Sequence, residues 1–161
     1  MVLVDSKRYF YFISALIILA LLAIVVYQKY QSSVSKNSVT VFTGAGSVKI
    51  DVEYADTPEK QKQGLAMRAS LPKNSGMLFI FPDEKIRNFW MKDTLIPLEI
   101  MFIDTKGQIN EITVMEPCTT ETKNCPIYTS KAPARFAVEV NAGFTEKNRI
   151  IEGDILEIKG F

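Results

Sequence analysis

No histidine occurs anywhere in the 161 residues of this chain. That absence excludes a Ser-His-Asp triad, a Cys-His dyad and any histidine-ligated metal. Cysteine is almost as scarce. Cys118 and Cys125 are the only two, too few for a structural zinc site without histidine and not in the CxxC spacing of a redox motif. No sign of charge dominates, since 19 basic and 18 acidic residues leave a formal net charge of +1. Recruitment to DNA, RNA or anionic lipid through bulk charge is therefore not expected. Gly64, Gly76, Gly143 and Gly153 have neither Walker nor dinucleotide spacing, so turns and bulges account for them. No cofactor, metal or nucleic-acid partner is expected.

One long apolar run is present. Residues 9–27 (YFYFISALIILALLAIVVY) contain no charge, amide or proline. As a helix they span about 28 Å, close to the hydrocarbon thickness of a bilayer. Tyr9, Tyr11, Tyr27 and Tyr30 mark the ends, where aromatic rings prefer the headgroup region. The run predicts a transmembrane signal anchor, with residues 1–8 in the cytoplasm and 28–37 as a polar linker. A cleaved signal peptide is the rival reading, with Ser33-Val34-Ser35 as its cleavage site. The length of the run favours the anchor. A globular domain over 38–161 follows. Lys7, Arg8, Lys29 and Lys36 precede it against Asp5 alone, so the domain holds 15 basic and 17 acidic residues. The flanking charges give a slight preference for a cytoplasmic N-terminus and a domain outside the cytoplasm.

The cysteines lie in EPCTTETKNCP, between Pro117 and Pro126, which reads as an exposed loop. The loop predicts a Cys118–Cys125 disulfide closing a short loop, with two free thiols as the alternative. A disulfide requires an oxidising compartment and so agrees with the orientation.

The domain reads mostly as strands. Val48, Ile50, Val52 and Tyr54 alternate with Lys49, Asp51 and Glu53, the pattern of a half-buried strand. Thr57-Pro58-Glu59 opens a short helix, with threonine as N-cap, proline at the first helical position and an acid in the first turn. Further strands are expected over 76–81, 87–92, 98–104, 108–115, 136–141 and 154–159. The expected class is α+β, mainly antiparallel β: a barrel- or sandwich-like domain of about eight strands with one short helix, preceded by a transmembrane helix. The methionines Met67, Met77, Met91, Met101 and Met115 read as core filler.

Three ordered stretches carry a resemblance. They are Ala55-Asp56-Thr57 with Gly64-Leu65-Ala66-Met67-Arg68, then Gly76-Met77-Leu78-Phe79, then Phe89-Trp90-Met91-Lys92-Asp93-Thr94-Leu95-Ile96-Pro97-Leu98. Glu139-Val140-Asn141-Ala142-Gly143 and Gly153-Asp154 follow in order. Together they resemble the DUF192 (UPF0127) family, a prokaryotic domain of unknown function often carrying an N-terminal signal or anchor. The resemblance covers about Val48 to Ile158 and implies a compact β-rich fold, without a reaction, substrate or cofactor. The chain departs from the family at Ala66, where a second methionine is usual, at Asp93, where asparagine or glycine is usual, and at Glu99, where aspartate is usual.

Chemistry concentrates in Trp90, Lys92, Asp93 and Thr94: a ring, a cation, an anion and a hydroxyl in five residues. On a strand Trp90 and Lys92 share a face, a plausible small-ligand surface. The plainer reading makes Trp90 core and the other three a solvated turn. Glu99 and Glu139 interrupt apolar runs and need partners if buried, for which Arg68 is the candidate. A structural ion pair is the plain account. Two carboxylates flanking a cleft, one raised in pKa for acid–base work, is the sharper one. Two functions follow as expectations, the first favoured because no nucleophile–base pair can be read from the chain. One is an extracytoplasmic binding module for a small molecule, envelope polymer or protein. The other is a carboxylate-dependent, metal-independent hydrolase of the cell envelope.

Overall fold

A computed structural model of the chain describes residues 6–33, 37–119 and 124–158, and within the first of these the side chains of 11–25. The chain divides into two units, Met1–Ser35 and Lys36–Phe161. The first is one helix, α1 (Ser6–Ser33). It continues through much of the stretch read as linker, because Gln28, Lys29, Tyr30 and Gln31 bring neither proline nor glycine to stop it. From Tyr11 to Val25 its large apolar side chains are exposed, Tyr11 by 70% and Leu16 by 65%. Among the described residues no helix is long and apolar enough to cross a membrane. Both ends of the 9–27 run fall outside the described side chains, as do residues 1–5 and the Val34-Ser35 half of the cleavage site.

Among its described residues the second unit holds nine strands. They are β1 (Ser38–Thr43), β2 (Gly46–Ala55), β3 (Ser75–Lys85), β4 (Asn88–Trp90), β5 (Leu98–Ile103), β6 (Ile109–Met115), β7 (Ile127–Thr129), β8 (Ala134–Asn141) and β9 (Ile155–Ile158). Two short helices join them, α2 (Pro58–Gln63) and α3 (Phe144–Asn148). Seven strands form one sheet in the order β6-β5-β8-β3-β2-β1-β9, and β4 pairs with β7 beside it. The sheet curls until its edges meet at one end. There Gln108 bridges Ile155, and the Leu156 N–H donates to the Gly107 carbonyl at 2.7 Å. The result is a mainly antiparallel half-barrel of the α+β class.

Two details correct the sequence reading. Strands β2 and β3 run parallel, from Asp51↔Ser75 to Ala55↔Phe79. A parallel pair needs a crossover, and the segment carrying α2 supplies it. The helix α3 is a second helix where the sequence predicts only one, since Gly143 has no side chain to signal a cap. Its cap comes from β5, where Glu99 Oε1 accepts the Gly143 N–H at 2.7 Å and Oε2 the Thr145 N–H at 2.9 Å.

The sheet has apolar cores on both faces. Inside the curl lie Val39, Ile50, Leu78, Met101, Val138 and Leu156. Against the outer face lie Met77, Phe79, Ile100, Phe102 and Ala137, covered by Leu65, Phe89, Met91 and Cys118. Coverage on both faces explains why β5 is buried along its whole length and is apolar at every position but Glu99. Four of the five methionines are core as expected. Met67 is not: it is 72% exposed, in a turn with φ 61°.

Candidate functional site

The covering layer on the outer face of the sheet builds the site. The helix α2 starts as its sequence dictates, with Thr57 Oγ1 accepting the Lys60 N–H and Pro58 at the first position. Gln61 fastens it to the sheet by donating to the carbonyls of Ala55 and Ile80, at 3.3 and 2.8 Å. The helix stops at Gly64, whose φ of 51° and ψ of −137° suit only glycine. The chain then turns so that the Met67 N–H donates to the Asp93 carbonyl at 2.8 Å. The turn after α2 is thereby fixed to the turn after β4.

The β4–β7 ribbon forms the opposite wall. Phe89 and Met91 point into the outer core, while Trp90 stays 49% exposed and Lys92 is exposed. The alternation expected of a strand holds, and Trp90 is not core. The Lys92 Nζ lies 5.5 Å from the Trp90 ring centroid, within range of a cation–π contact. Thr129 donates to Asn88 Oδ1 across the ribbon at 2.7 Å.

Behind this wall sits the disulfide. Cys118 and Cys125 are bonded, with Cα atoms 5.7 Å apart, and no cysteine is free. Cys118 bridges both Lys92 and Thr94, and β7 begins two residues beyond Cys125. The bond therefore braces the Lys92–Thr94 turn, although residues 120–123 within its loop lie outside the described set. Replacing both cysteines by serine is expected to cost about 2–3 kcal/mol from loop-closure entropy. Urea denaturation measures it, with unfolding followed by far-UV dichroism. A loss below about 0.5 kcal/mol would leave the bond with no bracing role.

Between the walls is a cleft of about 260 Å³. One side is the end of α2, from Gln61 to Gly64, and the other is Asn88, Trp90, Lys92 and Thr94. Leu65, Phe79, Phe81 and Phe89 give it apolar lining, and Glu139 contributes to its floor. Glu139 stands on β8 between Met77 of β3 and Ile100 of β5, on the outer face of the sheet. It is 4% exposed, and no described group hydrogen-bonds its side chain. One carboxyl oxygen is 3.9 Å from where a Cβ on Gly64 would be. Burial pushes this carboxyl up to about 8, so at neutral pH it is protonated, a donor as well as an acceptor.

The structure thus gathers Trp90, Lys92, Thr94 and Glu139 at one cleft. It does not bring in the other three residues named from sequence. Arg68 does not pair with Glu99 or Glu139. Its guanidinium binds Glu53 on β2 in a fork, at 2.5 and 2.7 Å. Glu99 faces the inside of the curl, since its register partner is Val140 while Glu139 pairs with Ile100. The two carboxylates therefore lie on opposite faces of the sheet and cannot flank one cleft. Asp93 sits at φ 57° and contributes its carbonyl to the Met67 contact, without lining the cleft. Sequence reasoning missed Gln61, Lys62, Gln63 and Asn88. The Gly64 stop was the one local sign that the end of α2 borders something.

Chemically, the cleft can hold a proton on Glu139, place a cation beside a ring, and exclude water along its aromatic wall. Among the described residues no three of His, Cys, Asp and Glu converge to hold a metal.

No curated protein matches the chain. Two crystal structures share its fold. One is a candidate transcription regulator from Sinorhizobium meliloti 1021, 31% identical, with a TM-score of 0.70, covering 79% of this chain and 96% of that one. The other is a protein of unknown function from Novosphingobium aromaticivorans DSM 12444, 27% identical, with a TM-score of 0.69, covering 78% and 89%. The family model of DUF192, described as Uncharacterized ACR, matches residues 40–158. With nearly the whole globular unit matched in that order of motifs, the chain belongs to the DUF192 family.

Proposed function

We propose that this protein is a membrane-anchored binding module, held by residues 9–27 with its domain outside the cytoplasm, that takes a small molecule into the cleft between α2 and β4. The observation that carries the binding reading is Glu139. Its carboxyl borders the cleft, is hydrogen-bonded by no described group, and is held neutral by burial at a cost in free energy. At the floor of an open cleft, a ligand supplies the missing partner. Trp90 supports this, because a half-exposed tryptophan beside a lysine is a surface suited to recognition. The anchor rests on the length of the apolar run and on the exposure of the apolar side chains described along α1. The disulfide supports an oxidising compartment.

Hydrolysis by a pair of carboxylates has no support, since Glu99 and Glu139 are on opposite faces. Transcriptional regulation, the role attached to the Sinorhizobium protein, is not carried over. A domain with 15 basic and 17 acidic residues offers no electrostatic footprint for DNA.

The test uses Trp90, the only tryptophan in the chain, whose emission reports on the mouth of the cleft. Full-length protein in vesicles is titrated with sugars, amines, amino acids and carboxylates. At least one class should shift or quench the emission, and Lys92→Ala should weaken that binding by about 1–3 kcal/mol. Silence across all classes would remove the cleft as a ligand site. Extraction from native membranes by alkaline carbonate would separately remove the anchor.

A further inference from the structure

Which class of ligand the cleft takes can be argued from its charges, and this step rests on the reading of the cleft as a binding site. We propose that it takes a small organic carboxylate. The anion is held at the mouth by Lys92 and Lys62, and an oxygen acceptor at its far end receives a hydrogen bond from the carboxyl of Glu139.

The ionisable groups that line the cleft are Lys62, Lys92 and Glu139. Among the neighbouring acids Asp56 pairs with Lys60, Glu53 with Arg68, and Asp83 with Lys85 and Arg87, while Asp93, next to Lys92 in the turn, does not line the cleft. The side chains beside Glu139 on the flanking strands, Met77 and Ile100, do not titrate, nor do Gly64, Leu65 and Phe79 above it. Burial keeps Glu139 neutral at pH 7, so two cations stand at the mouth with no anion inside to balance them. A positive mouth with low-dielectric walls draws in anions. Lys92 is also partly pre-set for the role, because its ammonium already rests over the Trp90 ring.

The floor asks for something else. A neutral carboxyl with no described partner can donate a hydrogen bond to a group in the cleft that it lines. An ammonium ligand suits neither end, since it must pass two lysines and then displace the proton of Glu139. Leu65, Phe79, Phe81 and Phe89 fit a short apolar body between the two ends. The volume of about 260 Å³ falls just below the range of roughly 300–1,000 Å³ usual for drug-sized ligands, so the molecule is of metabolite size.

Four probes separate these elements on the full chain in vesicles, read by Trp90 emission. Levulinate has a carboxylate and a distal ketone oxygen. Methyl levulinate lacks the charge, pentanoate lacks the ketone, and pentylammonium reverses the charge. Levulinate should bind, with methyl levulinate and pentanoate each weaker by roughly tenfold and pentylammonium silent. Lys92→Ala should reduce levulinate to the level of its ester. Levulinate affinity should fall roughly tenfold between about pH 7 and pH 9 as Glu139 ionises. Glu139→Gln, which keeps a donor, should bind at pH 7 and lose that fall. The infrared C=O band of a protonated carboxyl, present at pH 7 and absent from Glu139→Gln, checks the proton independently of binding.

Tighter binding of pentylammonium, affinity for levulinate that rises with pH, or no response to levulinate would overturn the carboxylate proposal. Any of these leaves the cleft itself as a site if another class responds in the broader titration.

Discussion

Raising the pH from about 5 to about 9 is expected to destabilise the domain by roughly 4 kcal/mol, and Glu139→Gln is expected to abolish that loss. Burial holds the native carboxyl of Glu139 near 8, whereas its ordinary value is 4.5. Between those values the native state keeps a proton that the unfolded chain has released. Stability therefore falls as pH rises through this window, and it levels off once the native carboxyl ionises as well. Other shifted carboxylates move the opposite way. Arg68, hydrogen-bonded to Glu53, holds that carboxyl below its usual value, and Glu111 is lowered too. For Glu111 burial pushes upward, but the Lys131 N–H, the Thr113 hydroxyl and the Lys131 ammonium together outweigh it. Groups of this kind lose their stabilisation toward acid, below the window. The domain should accordingly be most stable near pH 5. Urea midpoints collected across the pH range for both proteins decide the matter. Parallel slopes in wild type and Glu139→Gln would place the titration elsewhere.

This behaviour connects the fold to the cleft. The position that costs stability at alkaline pH is also the one left without a partner at the floor. A ligand that supplies an acceptor to Glu139 should raise its native value further and carry the fall in stability on to higher pH. Proton and ligand are then linked through one side chain.

How much of this was legible in the sequence depends on how local each cause is. The alternation of β2, the cap of α2 and the buried run of β5 are written within a few residues, and all three elements form where expected. The cap of α3 is not local, because Glu99 lies 44 residues from the Gly143 N–H it accepts. The strand β7 is three residues long and exists through its pairing with β4, so no periodicity could show it. The site divides in the same manner. Trp90, Lys92 and Thr94 are neighbours in sequence and stay neighbours in space. Glu139 joins them only through the order of strands β8, β3 and β5. Which face Glu99 and Glu139 take is a matter of register, where a slip of one residue reverses the answer. Arg68 was matched to the wrong acid because β2, which carries Glu53, could not be placed beside the turn after α2.

Gly76→Ala is expected to cost about 3 kcal/mol, at the upper end for overpacking, and to disturb the cleft at the same time. Gly76 pairs with Val140 across the β3–β8 ladder. A Cβ there would lie 2.3 Å from the backbone carbonyl oxygen of Glu139 and 3.1 Å from Val140 Cγ1. The second contact is with a side chain and can be relieved. The first is with backbone in the middle of a seven-stranded sheet, so β8 must shift at the residue that forms the floor. Two readouts should therefore move together: the urea midpoint falls, and the alkaline slope assigned to Glu139 changes as its carboxyl is displaced. Adding Val140→Ala should not restore either, because it removes only the 3.1 Å contact. Recovery of stability in that double variant would show that the side chain, and not the close approach of the two strands, requires glycine at this position.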